Sequence, residues 1–180
     1  MIRIFFAFLV VITSVSVHGQ QGGYASILFG SYKFYPEDLF SSDPKVVGLA
    51  LGYKFSKYDS VELRAGFSLG TREEQLEVLG TQVDVTFEIK NYYSILYKPE
   101  YEFDNFILYG LAGYTESTSR VRAFDYNLDI EGTKSGPSYG LGVGYIKSER
   151  VRFNLEFLEV VNSDTYSVRG LNFTFQSFFR

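Results

Sequence analysis

Five charged side chains recur at two-residue spacing beside glycine, alanine and serine: Lys54, Glu62, Arg64, Arg152 and Glu156. In VVGLALGYKF (46–55), Lys54 shares a parity with Gly48, Ala50 and Gly52, opposite Val47, Leu49, Leu51, Tyr53 and Phe55. In SVELRAGFSLG (60–70), Glu62 and Arg64 share one with Gly66 and Ser68. In VRFNLEFLEV (151–160), Arg152, Asn154 and Glu156 oppose Val151, Phe153, Leu155 and Phe157. Carboxylates and cations enclosed on one such face must pair, because an isolated buried charge is too costly. The chemistry expected of them is therefore ion pairing. Acid-base catalysis needs a tuned base, and this chain has no cysteine and a single histidine, His18. The other carboxylates weighed for that role, Asp84, Glu88, Asp125 and Asp129, fall in loop-proximal polar segments where a solvated acidic surface is the ordinary explanation. No catalytic residue, cofactor site or metal site is expected.

The elements that position these charges read as strands from end to end. Side chains alternate across a strand, so a period of two presents one large apolar face and one small or charged face. GPSYGLGVGYIKSERVRFNLEFLEV (136–160) does so twice, with Tyr139, Leu141, Val143 and Tyr145 opposite Gly140, Gly142 and Gly144, and then the 151–160 run. Eight strands follow: 24–34, 46–55, 60–70, 83–103, 106–115, 136–146, 151–160 and 171–179. In the long fourth one, Val83, Val85, Phe87, Ile89, Tyr93, Ile95, Tyr97, Tyr101 and Phe103 are expected on one face. Pro99, which cannot donate to a ladder, is expected to mark a bulge or the near end of the spanning part. Short turns (56–59, 104–105, 147–150) alternate with long polar segments (35–45, 70–82, 116–136, 158–167). Two of those, around EEQLEVLGTQVDVTFEI and TSRVRAFDYNLDIEG, keep strand-like alternation and are expected to project as hairpins. The GLGVG run has no following helix and no suitably placed cation, so a nucleotide loop is a weak reading of it.

The 180 residues are 46% hydrophobic and 18% aromatic, enough for one packed domain. Residues 1–19 read as a secretory signal peptide, with Arg3, an apolar run from Ile4 to Ile12, and Val17 and Gly19 before the cut. That run is too short for a spanning helix. The domain is then 20–180. Loss of Arg3 leaves 16 basic against 21 acidic residues, a net charge of −5, which argues against a nucleic-acid partner.

Volume decides which face is inside. An eight-stranded barrel has an interior just wide enough to be filled by side chains. All the Tyr, Phe and Leu of one parity would overpack it, whereas small residues and paired charges fit. The large apolar face then looks at lipid, and a closed barrel satisfies every backbone hydrogen bond in hydrocarbon. The fold expected is an all-β, eight-stranded antiparallel up-and-down transmembrane β-barrel.

Together, LYGLAGYT (108–115), the 136–160 stretch and the closing strand GLNFTFQSFF (170–179) resemble the small eight-stranded outer-membrane β-barrels of Gram-negative bacteria, the group of OmpX, Ail and the OmpA transmembrane domain. The resemblance covers the whole of 20–180 and implies location in the cell outer membrane, with the short turns on the periplasmic side. Such barrels usually close on an aromatic residue; here Phe179 is followed by Arg180. Lys98, Glu100 and Glu102 are then further inward charges near the periplasmic mouth. Barrel enzymes of the outer membrane, such as lipid A acyl-chain hydrolases and palmitoyl transferases, rely on a histidine with a serine, which the chain lacks after His18 is removed. The resemblance implies a non-enzymatic monomer in outer-membrane lipid, serving envelope integrity or contact with a host or environmental surface ligand through its loops. Two rivals stand beside it: a narrow gated pore for ions or small solutes, and a secreted soluble barrel holding a small hydrophobic ligand.

Overall fold

The computed structural model describes residues 22–35, 44–70, 72–78, 81–123, 128–163 and 166–179. The leader read at 1–19 lies outside them, as do Asp125 and Arg180. Among the described residues there are nine strands: β1 (Gly22–Tyr35), β2 (Lys45–Lys54), β3 (Asp59–Ser68), β4 (Arg72–Val78), β5 (Thr81–Phe103), β6 (Phe106–Ala123), β7 (Leu128–Ser148), β8 (Val151–Ser163) and β9 (Tyr166–Phe178). Every pairing between them is antiparallel; strands consecutive in sequence pair except β3 with β4, and β1 meets β9 and β3 meets β5. The β3–β5 ladder, from Asp59↔Pro99 to Gly66↔Tyr92, closes the cylinder. β4 continues the line of β3 along the far part of β5, from Arg72↔Phe87 to Val78↔Thr81. The result is an eight-stranded up-and-down barrel whose eight positions are those read from the alternation.

The wall has the polarity that hydrocarbon demands. Leu49, Leu51, Leu63, Leu141 and Leu155 are exposed, Leu141 at 67%, while Gly142, Arg64, Arg152 and Glu156 on the other parity are buried. Phe153 and Phe173 stack on each other at 6.2 Å on this outer wall, not at the centre. On β6 the outward apolar positions run from Phe106 through Leu108 to Tyr114 before Glu116 ends them. About nine residues at about 3.4 Å each, tilted by about 40°, span the roughly 25 Å apolar band of such barrels.

One local expectation fails on β5, the outward face of Phe87 and Ile89. The ladder to β6 shifts register between Ile89 and Asn91. An extra residue in a strand turns every later side chain to the opposite face. Phe87 and Ile89 consequently point inward, at 8% and 4% exposure, instead of sharing the outer face with Tyr93 and Tyr97. The interruption falls at Lys90, beside Asn91, a polar residue on the otherwise apolar parity from Ile89 to Tyr93. Pro99, by contrast, makes no bulge: Tyr97↔Ala112 and Glu100↔Tyr109 keep one register across it. The strand runs on past it to Phe103.

At the Asp104-Asn105 turn, Asp104 takes a φ of 50°, a left-handed conformation that a short polar side chain tolerates. Above the belt β5, β6 and β7 continue as a tall sheet, with β6 paired to β7 as far as Ala123↔Leu128. The segments 70–82 and 116–136 are thus largely hairpin, because their alternation still lets each strand satisfy its neighbour's backbone.

Candidate functional site

The bore holds two ion clusters stacked along the axis. In the middle one, Arg64 on β3 makes a two-pronged bond to Glu156 on β8, with Nη1–Oε2 at 2.7 Å and Nη2–Oε1 at 3.0 Å. Its Nε donates to Glu62. β3 and β8 are not neighbours in the sheet, so this contact crosses the cylinder and ties opposite walls. Tyr24 donates to Glu62 and Tyr109 to Glu156, both at 2.9 Å. Lys98 Nζ lies 3.7 Å from Glu62 and 4.2 Å from the centre of the Tyr109 ring, a cation–π approach to its negative face.

The second cluster sits nearer the short turns. Lys54 contacts Glu100 and lies 3.2 Å from Glu102. Arg152 reaches Glu100 at 3.2 Å and Glu102 at 2.6 Å, and its guanidinium lies 4.5 Å from the Phe178 ring centre. Between the clusters Asn154 donates to Thr174 at 2.8 Å and Gln176 at 3.2 Å. Of the five charges singled out by spacing, Glu62 and Glu156 both meet Arg64, whereas Lys54 and Arg152 are bridged by Glu100 and Glu102. Four cations (Lys54, Arg64, Lys98, Arg152) face four carboxylates (Glu62, Glu100, Glu102, Glu156), so the assembly carries no net charge.

What the alternation missed is the set of inward tyrosines. Tyr24, Tyr32, Tyr92 and Tyr109 each stand opposite a glycine on the adjoining strand: Gly52, Gly170, Gly66 and Gly142. A Cβ on those glycines would fall 2.1, 2.4, 2.5 and 2.2 Å from the facing ring. The glycine rows are therefore the beds of the rings. The signal was in the sequence as matched Tyr and Gly positions, but it needs strand register to be read.

Beyond the ion clusters, at the end away from the short turns, the bore becomes apolar. Tyr32, Val46, Phe87, Ile89, Tyr92, Leu158, Val160 and Val168 pack into one cluster. One small cavity, between Tyr32, Val46, Ile89, Tyr92, Val160, Val168 and Ser117, measures about 10 Å³, no more than a single water needs. Among the described residues no group of three or more His, Cys, Asp or Glu side chains could hold a metal ion. Of the carboxylates weighed for catalysis, Glu88 and Asp129 lie on the tall sheet, and Asp129 faces Arg120 at 3.1 Å.

A closed barrel with this lipid-facing wall coincides with a sequence match over residues 4–179 to the family described as outer membrane protein beta-barrel domain. The chain belongs to that family. Membership places this outer-membrane β-barrel protein in the cell outer membrane, with short turns on the periplasmic side and hairpins outside. Solved structures share the fold. The barrel is similar to Ail, the attachment invasion locus protein of Yersinia pestis, crystallised with the heparin analogue sucrose octasulfate: 18% identity over 89% of this chain and 100% of that one, TM-score 0.63. It is also similar to Neisserial surface protein A, at 13% identity over 88% and 97% with TM-score 0.62. A third likeness is to the N-terminal barrel domain of OprF from Pseudomonas aeruginosa, at 12% over 87% and 99% with TM-score 0.59. A search of curated proteins finds no match.

Proposed function

We propose that this outer-membrane barrel is a non-enzymatic, monomeric structural protein with a stoppered bore, supporting envelope integrity and presenting its tall hairpins to surface ligands. The observation that carries the reading is the content of the bore. A charge-balanced network ties β2, β3, β5 and β8 across the axis, and an apolar cluster holding a cavity of about 10 Å³ lies above it. Ions would have to break the first and wet the second, and hydrophobic constrictions oppose wetting. Planar-bilayer recording tests it: wild type should pass no current above background. Measurable conductance that changes in Glu62→Ala or Arg152→Ala would instead favour the narrow-pore reading.

Surface contact is the part of the proposal carried by the tall sheet. Its outer portion bears Arg120, Arg122, Asp129 and Glu131 in mutual ion pairs, a mixed-charge face. The likeness to Ail, seen with a sulfated heparin analogue, makes acidic glycans a reasonable first ligand to try. Deleting residues 72–80 should reduce surface adhesion; unchanged adhesion and serum survival would remove this role. Residues 1–19 are proposed as the cleaved leader, checked by the mass of the chain recovered from outer membranes.

A further inference from the structure

Three cations crowd one stretch of the outer wall just above the apolar belt. Lys33 on β1 and Arg169 on β9 are direct cross-strand partners. Lys45 on β2 pairs with Ser31, two residues along the same face of β1, and its Nζ donates to Ser31 Oγ at 2.8 Å. All three are exposed. Like charges directly opposite each other weaken a ladder, and the Glu159 carboxylate lies 3.2 Å from Arg169. Immediately below, Phe29 and Leu171 are more than half exposed at 52% and 53%, so the cations stand where hydrocarbon gives way to head groups.

A groove of about 380 Å³ begins directly beneath Lys45, walled by Val47, Leu49, Phe67 and Tyr93 with Ala65 and the backbone of Gly48 and Gly66 as its floor. Through Leu49, Ala65 and Tyr93 it joins a larger one of about 700 Å³ that runs on past Ile27 and Ala25. It lies where the β3–β5 ladder ends at Gly66↔Tyr92, next to the bulge at Lys90. We infer that Lys33, Lys45 and Arg169 bind the phosphate of one outer-membrane lipid whose acyl chain lies in the groove floored by Gly48, Ala65 and Gly66. The charge selects an anionic head group and the groove selects a chain, so a phosphorylated lipid fits both.

Native mass spectrometry of the detergent-solubilised chain tests this with phosphatidylglycerol and phosphatidylcholine of identical acyl chains. Wild type should retain the anionic lipid on the order of tenfold better, the scale set by a few surface cations. K33Q/K45Q/R169Q should erase that preference. Ala65→Leu, which fills the groove floor, should lower retention of both lipids. Millimolar inorganic phosphate should leave the bound lipid in place. Heat-modifiable migration verifies that each variant is folded. Equal retention of the two lipids by wild type, a preserved preference in the triple variant, unaltered retention in Ala65→Leu, or displacement by free phosphate would each overturn the assignment.

Discussion

The two halves of the bore solve one problem in opposite ways. Toward the short turns the interior is dominated by ions, with buried Leu96 and Ile107 at the levels of Glu62 and Glu102: Arg64 lies between Glu62 and Glu156, and Arg152 and Lys54 between Glu100 and Glu102. Toward the outside it is filled by Tyr32, Val46, Ile89, Tyr92, Leu158 and Val160. The ionic half is held by a few directional contacts that span the cylinder, so it fixes which walls face each other. The apolar half is held by many weak contacts and excludes water. The lesson is that a small barrel can be stoppered by specific charges at one end and by plain packing at the other.

The two halves should respond differently to truncation. Removing one member of a buried ion cluster leaves its partners uncompensated, which costs about 3–5 kcal/mol. Arg64→Ala, which strands both Glu62 and Glu156, is expected to lower stability by that amount in urea unfolding from lipid vesicles. Arg64→Ala/Glu156→Ala should cost clearly less than the sum of the singles, because contacting partners are not additive. Additive costs would mean that the ions do not act as a unit. In the apolar half, Leu158→Ala should cost about 2–5 kcal/mol through the lost contacts and the cavity. Its effect should add independently to that of Arg64→Ala in the same assay if the halves are separate.

The glycine beds come next in size. Gly142→Ala puts a Cβ 2.2 Å from the Tyr109 ring, and Tyr109 also bonds Glu156. Overpacking of this kind costs about 1–3 kcal/mol, and the same change at Gly132, where nothing lies within 4 Å, should show almost none of it. At the periplasmic rim, outside both halves, Asp104→Gly should gain stability by under about 1 kcal/mol, because glycine accepts the left-handed φ without a Cβ penalty.

The smallest effect belongs to the exposed sheet. Hydrogen bonding from Lys90, with Arg120 nearby, holds the Glu131 carboxyl below its usual range. A carboxyl depressed in the folded state contributes stability above its unfolded pKa and loses it as pH falls through the folded value. Protease protection of the 116–135 hairpin should therefore be constant near neutrality and weaken only below about pH 4, with the barrel itself unaffected. A hairpin equally protected at low pH would show that this ion cluster does nothing for it.

The alternation made much of this legible. It marked eight strands, their lipid-facing wall and the inward parity of Lys54, Glu62, Arg64, Arg152 and Glu156, because a strand forces neighbours to opposite faces and hydrocarbon tolerates only one of them. Which charge meets which was not legible. Arg64 and Glu156 are 92 residues apart and come from non-adjacent strands, a contact set by barrel closure and stagger. Nor could the pattern show that Phe87 and Ile89 turn inward: the apolar parity lapses only at Asn91 and resumes at Tyr93, while the bulged Lys90 reverses the face.

The sequence alone determined that this chain folds into a lipid-facing cylinder, because period-two hydrophobicity and the width of an eight-stranded bore leave one workable inside. Tertiary structure alone decided how that inside is partitioned. The rings of Tyr24, Tyr32, Tyr92 and Tyr109 lie on glycines of adjoining strands, and ions and apolar groups separate along the axis. Both depend on register between strands, a relation that the order of residues within any one strand does not contain.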